Sequence, residues 1–146
     1  MNISKIAGAL GAEITGVRLD RLTPEELATI QAAYLEHGVI FFRDQDLSPK
    51  AFREFATKVG EPVFYPFVKG LPDFPEIIEV KKLEHEKVNF GGVWHSDTTY
   101  QLEPPKGTML LAREIPPFGG DTLFASQYAA YEALSHMDNA DVVPIL

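Results

Sequence analysis

The 146-residue sequence contains no cysteine, which excludes disulfide bonds, thiolate metal sites and cysteine nucleophiles. Any bound metal ion must therefore be held by imidazole and carboxylate groups, which favour a hard or borderline ion. Basic residues are few as well, since 13 Lys and Arg stand against 21 Asp and Glu, for a net charge of −8. Nucleic acids and anionic membranes attract clustered Lys and Arg, so the composition argues against both partners.

Long apolar runs are also lacking, because no stretch approaches the roughly 20 residues of a membrane span. The N-terminus has no charged region followed by a long apolar core, as a signal peptide would, and a cytoplasmic location is expected. Hydrophobic residues make up 45% of the chain, enough to bury a core. We therefore interpret residues 1–146 as one domain.

The first part of the chain carries clear secondary-structure signals. Short strands are expected in residues 1–20. The capping box Thr23-Pro-Glu-Glu26 predicts a helix that runs to about His37. An apolar run at 39–42 predicts a buried strand, and Ser48-Pro49 predicts a second helix that ends near Gly60.

Beyond Gly60 the pattern becomes irregular, with four prolines between residues 61 and 92, and only residues 77–80 indicate a strand. Two more strands are predicted at 108–112 and 122–125, with antiparallel pairing between them. A last helix is expected to begin after Ser126 and to extend through Leu134.

The segment G-G-V-W-H-S-D-T-T-Y at residues 91–100 carries a histidine and an aspartate beside the only tryptophan. On a strand, His95 and Asp97 would project from the same face and could reach one ion. Imidazole and carboxylate with open positions match non-haem Fe(II) oxygenases, whose ligand set needs a second histidine. Alone, such a pair is also explained by a surface contact or a local hydrogen bond, whereas Trp94 beside it could shield a site from water.

Taken with its surroundings, this segment resembles the taurine dioxygenase-like (TauD/TfdA) family of Fe(II)- and 2-oxoglutarate-dependent dioxygenases. Residues 94–100 are similar to the family's W-H-x-D-x-[ST] motif, and residues 114–124 to its GGDT segment. Residues 8–17 and 37–43 are similar to the opening and the first core strand of family members. The resemblance covers about residues 6–135 and concerns the N-terminal half of the family's chains.

The resemblance implies an α+β fold, a partial double-stranded β-helix (a cupin-like jelly-roll) with flanking helices. It implies that His95 and Asp97 are iron ligands and that Thr122 hydrogen-bonds 2-oxoglutarate. The implied reaction hydroxylates a C–H bond of a small organic substrate with O2 and converts 2-oxoglutarate into succinate and CO2.

The substrate side is less sharply defined. Sulfonate-using members carry a histidine and an asparagine where this chain has Tyr65 and Gly91, which argues against a taurine-like sulfonate. The residues expected to line the substrate, which packing beneath an irregular loop explains equally well, are Tyr65, Phe67, Asn89 and Phe90.

Two groups that the family requires, a distal histidine and an arginine for 2-oxoglutarate, have no counterpart at matching positions. His136 follows a helix that the family places outside, and Arg113 is better explained by an exposed ion pair. The preferred interpretation is a truncated dioxygenase that is inactive alone. The alternatives are a homo-oligomer or partner chain that supplies the missing groups, and a non-catalytic binding or scaffold domain with a relic His-x-Asp pair.

Overall fold

In the computed structural model, which describes residues 1–88 and 90–134, the chain divides into two compact units. One unit contains Met1–Leu47 together with the described residues from Ala112 onward, and the other contains Ser48–Leu111. Within the described ranges, no helix is long and apolar enough to cross a membrane. His95 and Asp97 belong to the second unit and Thr122 to the first.

A three-stranded mixed sheet lies in the first unit. Strand β1 (Asn2–Lys5) pairs antiparallel with β2 (Ala12–Thr15), and β2 pairs in parallel with β3 (Ile40–Phe41). The short strands expected near the N-terminus are thus confirmed. The predicted buried strand over 39–42 is present but shorter, and its two residues are half-buried.

Helix α1 (Pro24–His37) packs beside β2 and β3 and begins as its sequence predicts. The Glu26 amide donates to the Thr23 hydroxyl at 3.2 Å, and the Thr23 amide donates to the Glu26 carboxylate at 2.9 Å. These two bonds satisfy amides that the first helical turn leaves without partners. At the other end Gly38 has a φ of +70° and donates its amide to the Tyr34 carbonyl, so the helix ends at His37, as predicted.

The side chain of Gln45 bonds three backbone groups that lie in two segments of the first unit. Its oxygen accepts from the Leu19 amide at 3.1 Å, while its amide group donates to the carbonyls of Val17 at 3.2 Å and Arg43 at 2.9 Å. These bonds fix the turn after β2 against the segment after β3. Around them lie the buried apolar residues of the unit, which are Ala12, Ile14, Val17, Leu19, Ile30, Ala33 and Leu47.

In the second unit, helix α2 (Pro49–Val59) begins where the Ser48 hydroxyl accepts from the Ala51 amide at 3.2 Å. Its Phe55 is buried, and the Arg53 guanidinium is paired with the Glu76 carboxylate. The predicted second helix is therefore confirmed. It ends at Gly60, whose backbone is extended.

The strands predicted at 77–80, 108–112 and 122–125 are wrong. In the part of the chain that the structure describes, β-pairing after Phe41 is limited to an isolated bridge between Leu71 and Phe74. A strand needs hydrogen-bonded neighbours as well as an apolar sequence, and these segments form no ladder within the units described. Helix α3 (Gln127–Glu132) does begin after Ser126, as predicted, but ends before Leu134.

Candidate metal centre

His95 and Asp97 bring their side chains together in the second unit. The distance from His95 Nε2 to Asp97 Oδ1 is 3.1 Å, and both side chains are about half exposed, at 51% and 52%. Residues 94–97 are irregular in conformation rather than a strand. The two side chains thus converge without the strand geometry that would place residues i and i+2 on one face.

The backbone around the pair explains this convergence. Gly91 has a φ of +68°, and a Cβ added there would lie 3.3 Å from Cε1 of the His95 ring, so a larger residue would both strain the backbone and push the imidazole away. After Asp97, Thr98 has a φ of +46°, and the Gln101 amide donates to the Thr98 carbonyl at 3.1 Å. The close approach of the backbone at Gly91 to the imidazole and the tight turn at Thr98 therefore shape the path on which the two side chains meet.

Each of the two side chains is held by one further hydrogen bond. His95 Nδ1 lies 2.7 Å from the Val93 carbonyl, and because a carbonyl can only accept, Nδ1 carries the proton. The Thr108 hydroxyl donates to Asp97 Oδ2 at 2.7 Å. The atoms left to face each other are therefore Nε2 and Oδ1.

The surroundings also affect the charge of the imidazole. The Val93 carbonyl is the main cause that raises the pKa of His95; the Asp97 carboxylate adds to this effect, and partial desolvation opposes it. Protonated His95 forms an ion pair with Asp97. A metal ion that binds Nε2 must displace that proton, because the ligand is the neutral imidazole.

The pair fits two positions of a metal site. Two donors that each lie about 2.1 Å from one ion, at right angles, are about 3 Å apart, close to the observed 3.1 Å. Imidazole and carboxylate are two of the three ligands of the non-haem iron triad. Within residues 1–88 and 90–134, no group of three His, Asp or Glu residues could hold a metal ion, and His136 lies outside the described residues.

The residues predicted on the substrate side are placed only in part. Tyr65 and Phe67 contact each other edge to face, with ring centroids 5.5 Å apart. Phe90 is exposed just before the Gly91 turn, whereas Asn89 lies outside the described residues. The contact between Tyr65 and Phe67 is compatible with packing as well as with substrate binding, so the role of this group stays a prediction.

Two residues of the first unit also concern the predicted site. Thr122 is exposed and follows Gly119 and Gly120, which both have positive φ angles. The guanidinium of Arg113 donates a hydrogen bond to the Leu47 carbonyl. The interpretation of Arg113 as a member of an exposed ion pair was therefore wrong, because its side chain binds a backbone carbonyl instead. The role of Thr122 stays a prediction, because no contact of the described residues tests it.

Thr108, which contacts Asp97, is a residue that the sequence does not mark as part of the candidate site. It was assigned only to a strand, and a threonine eleven positions after Asp97 has no spacing that marks it as a partner. The hydrogen bond between Thr108 and Asp97 spans a loop, so it can be recognised only from the three-dimensional path of the chain after Thr98.

Comparisons with known proteins identify the family of this chain. The model of the "Taurine catabolism dioxygenase TauD, TfdA family" matches residues 2–143. An alpha-ketoglutarate-dependent sulfate ester dioxygenase of Pseudomonas putida is 35% identical over 136 residues, which are 92% of this chain and 44% of that protein. An (S)-phenoxypropionate/alpha-ketoglutarate-dioxygenase of Sphingobium herbicidovorans is 33% identical over 136 residues, which are 91% of this chain and 47% of that protein.

A solved structure agrees as well. A taurine dioxygenase from Burkholderia xenovorans has a TM-score of 0.73 and 33% identity to this chain, and the match covers 96% of this chain and 50% of that protein. The chain thus spans about half the length of the proteins that it matches. With a family match over nearly all its residues and the motif residues His95 and Asp97 side by side, the chain belongs to the TauD/TfdA dioxygenase family.

Proposed function

We propose that this chain carries the proximal metal ligands of an Fe(II)- and 2-oxoglutarate-dependent dioxygenase that hydroxylates a small organic substrate. The observation that carries the proposal is the 3.1 Å approach of His95 Nε2 to Asp97 Oδ1 in a family-matching segment. The names of both relatives include alpha-ketoglutarate, which supports 2-oxoglutarate as cosubstrate. Thr122 is the proposed hydrogen-bond donor to it.

The protein's own groups would prepare the site for this chemistry. The Val93 carbonyl holds the His95 ring so that Nε2 is presented, and Asp97 contributes a negative charge beside it. His95 gives up its Nε2 proton when the site is loaded. Trp94, next to His95, is 69% exposed in this chain, so its expected shielding of one side of the site from water stays a prediction. Bound Fe(II), with O2 and 2-oxoglutarate, would supply the oxidation that yields succinate, CO2 and a hydroxylated product.

We further propose that residues 1–146 form part of one double-stranded β-helix domain, and the TM-score of 0.73 to a taurine dioxygenase supports this. The second histidine and the 2-oxoglutarate-binding arginine would come from outside the described residues, from a second copy of the chain or from a partner chain. The cytoplasmic location and the lack of nucleic-acid or membrane partners stay predictions from the composition.

A small-molecule substrate is supported by the relatives, whose names give a sulfate ester and phenoxypropionate. Neither compound is assigned to this chain. The proposed substrate-side residues remain those of the irregular segment, namely Tyr65, Phe67, Asn89 and Phe90.

Thermal unfolding of the full chain with and without Mn(II) tests the proposal. A bound ion stabilises the folded state in proportion to its occupancy, so Mn(II) should raise the Tm of the wild type but not that of His95→Ala or Asp97→Ala. An equal rise in all three proteins would contradict the assignment. Succinate formation that requires 2-oxoglutarate and disappears in His95→Ala would show that the chain is active without further polypeptide.

The second candidate is a non-catalytic binding or scaffold domain in which the pair is a relic. It is favoured by the absence of a third ligand within the described residues and by the exposure of both side chains. This candidate predicts no change of Tm with Mn(II) at any concentration, so the same experiment separates the two functions.

A further inference from the structure

The two carboxylate oxygens of Asp97 have different surroundings. Oδ2 accepts the hydroxyl hydrogen bond of Thr108 at 2.7 Å, a length typical of a strong bond to a carboxylate. Oδ1 faces His95 Nε2 at 3.1 Å. One oxygen is therefore engaged with the protein, and the other is left beside the imidazole.

We propose that Thr108 is a positioning residue for the metal centre, an inference that rests on the proposed role of His95 and Asp97 as ligands. Its hydroxyl holds the Asp97 carboxylate in the orientation that presents Oδ1 next to Nε2. Thr108 thus orients the Asp97 carboxylate, just as the Val93 carbonyl orients the His95 imidazole. Hydrogen bonds of this outer kind commonly change metal affinity by about 10- to 100-fold.

The position of Asp97 explains why such a bond is needed. The side chain is about half exposed, so packing does not fix its torsion angles. The next residue, Thr98, starts a tight turn with its backbone in the left-handed region. The bond from Thr108 closes the loop that contains this turn. Without it, Oδ2 would lose its protein partner and the carboxylate would be held only by its contact with His95, so metal binding would have to order it at an entropic cost.

Trp94 provides a direct probe of this inference. It is the only tryptophan of the chain and the immediate neighbour of His95, so quenching of its fluorescence by Co(II) reports binding at the pair. The full-length chain is titrated with Co(II) alone as wild type, Thr108→Val and Thr108→Ser. We expect the Kd of Thr108→Val to rise about tenfold, the lower end of the usual range because the site is half exposed.

Thr108→Ser should stay within about threefold of the wild type, because it retains the hydroxyl. The matched control is Thr57→Val, which removes a hydroxyl that donates to the Arg53 carbonyl at 2.9 Å on α2. Its Co(II) affinity should equal that of the wild type. The visible absorption spectrum of bound Co(II) is a second readout. We expect it to change in Thr108→Val, because the released Oδ2 alters how the Asp97 carboxylate binds the ion, whereas a purely structural role of Thr108 would leave the spectrum unchanged.

The outcomes separate this inference from the proposed function. If Thr108→Val binds Co(II) as tightly as the wild type while His95→Ala does not bind, Thr108 has no positioning role and the proposed function stands. If Thr108→Ser is as weak as Thr108→Val, the hydroxyl is not responsible and the inference is wrong. If wild type and His95→Ala behave alike, both proposals are wrong. Should Thr108→Val fail to fold, Thr108→Ala replaces it in the same comparison.

Discussion

Gly91 is the residue whose replacement tests the geometry of the site most sharply. Its φ of +68° lies in the left-handed region, and an added Cβ would lie 3.3 Å from Cε1 of His95. Gly91→Ala therefore imposes two changes at once. The backbone must hold alanine in a conformation that L-residues avoid, and the imidazole must move away by a few tenths of an ångström.

The expected magnitude follows from these two terms. A left-handed alanine costs about 1–2 kcal/mol, while the lower entropy of the unfolded chain returns about 0.4–1 kcal/mol. The net loss in the free energy of unfolding should be about 1 kcal/mol. The half-exposed ring can shift with little further cost in stability, but Nε2 moves with it, so the affinity for Co(II) should fall.

Urea unfolding followed by circular dichroism gives the stability, and Trp94 quenching gives the Co(II) affinity. Gly60→Ala is the matched control in the same unit, since the backbone of Gly60 is extended and no atom lies within 4 Å of an added Cβ. It should be neutral or slightly stabilising. Equal stability and equal Co(II) affinity of Gly91→Ala and wild type would refute the reasoning, as would an equal loss in Gly60→Ala.

Two further predictions concern the rest of the chain. Gln45→Ala should lower the free energy of unfolding by about 1–3 kcal/mol, because it leaves the Leu19 amide and the Val17 and Arg43 carbonyls without their partner; a urea midpoint equal to that of the wild type would contradict it. The pKa of Glu76 is lowered from its ordinary 4.5, chiefly by its own backbone amide and further by Arg53, so its ionised form stabilises the fold above pH 4.5 and that contribution disappears as the pH falls through the lowered pKa. The deficit of Glu76→Gln against wild type in urea unfolding should accordingly be largest at neutral pH and shrink in acid, and a deficit independent of pH would contradict this prediction.

The helix starts could be predicted from the sequence because their causes are local. Thr23, Ser48 and Ser126 each accept the amide of the residue three positions later, and such a bond needs only the residues of one turn. The predicted strands beyond Phe41 failed for the opposite reason. An apolar run specifies a side-chain pattern, whereas a strand also needs a neighbour that is distant in sequence.

The same distinction between local and long-range causes applies to the candidate site. The closeness of His95 and Asp97 could be expected from their two-residue spacing, but the cause is the irregular path between Gly91 and Thr98 rather than a pleated strand. The bond from Thr108 to Asp97 spans a loop and has no local sequence signal. The motif thus pointed to the proposed ligand pair, and the structure was needed to find the hydrogen bond from Thr108 to Asp97.

The central claim is that His95 and Asp97 together bind a divalent metal ion. Pulsed electron paramagnetic resonance of the Mn(II)-loaded full chain detects an imidazole nitrogen bound to the ion. We expect this nitrogen signal in the wild type and in His85→Ala, a control in the exposed turn at residues 83–86, and its loss in His95→Ala. An imidazole signal that persists unchanged in His95→Ala would contradict the account.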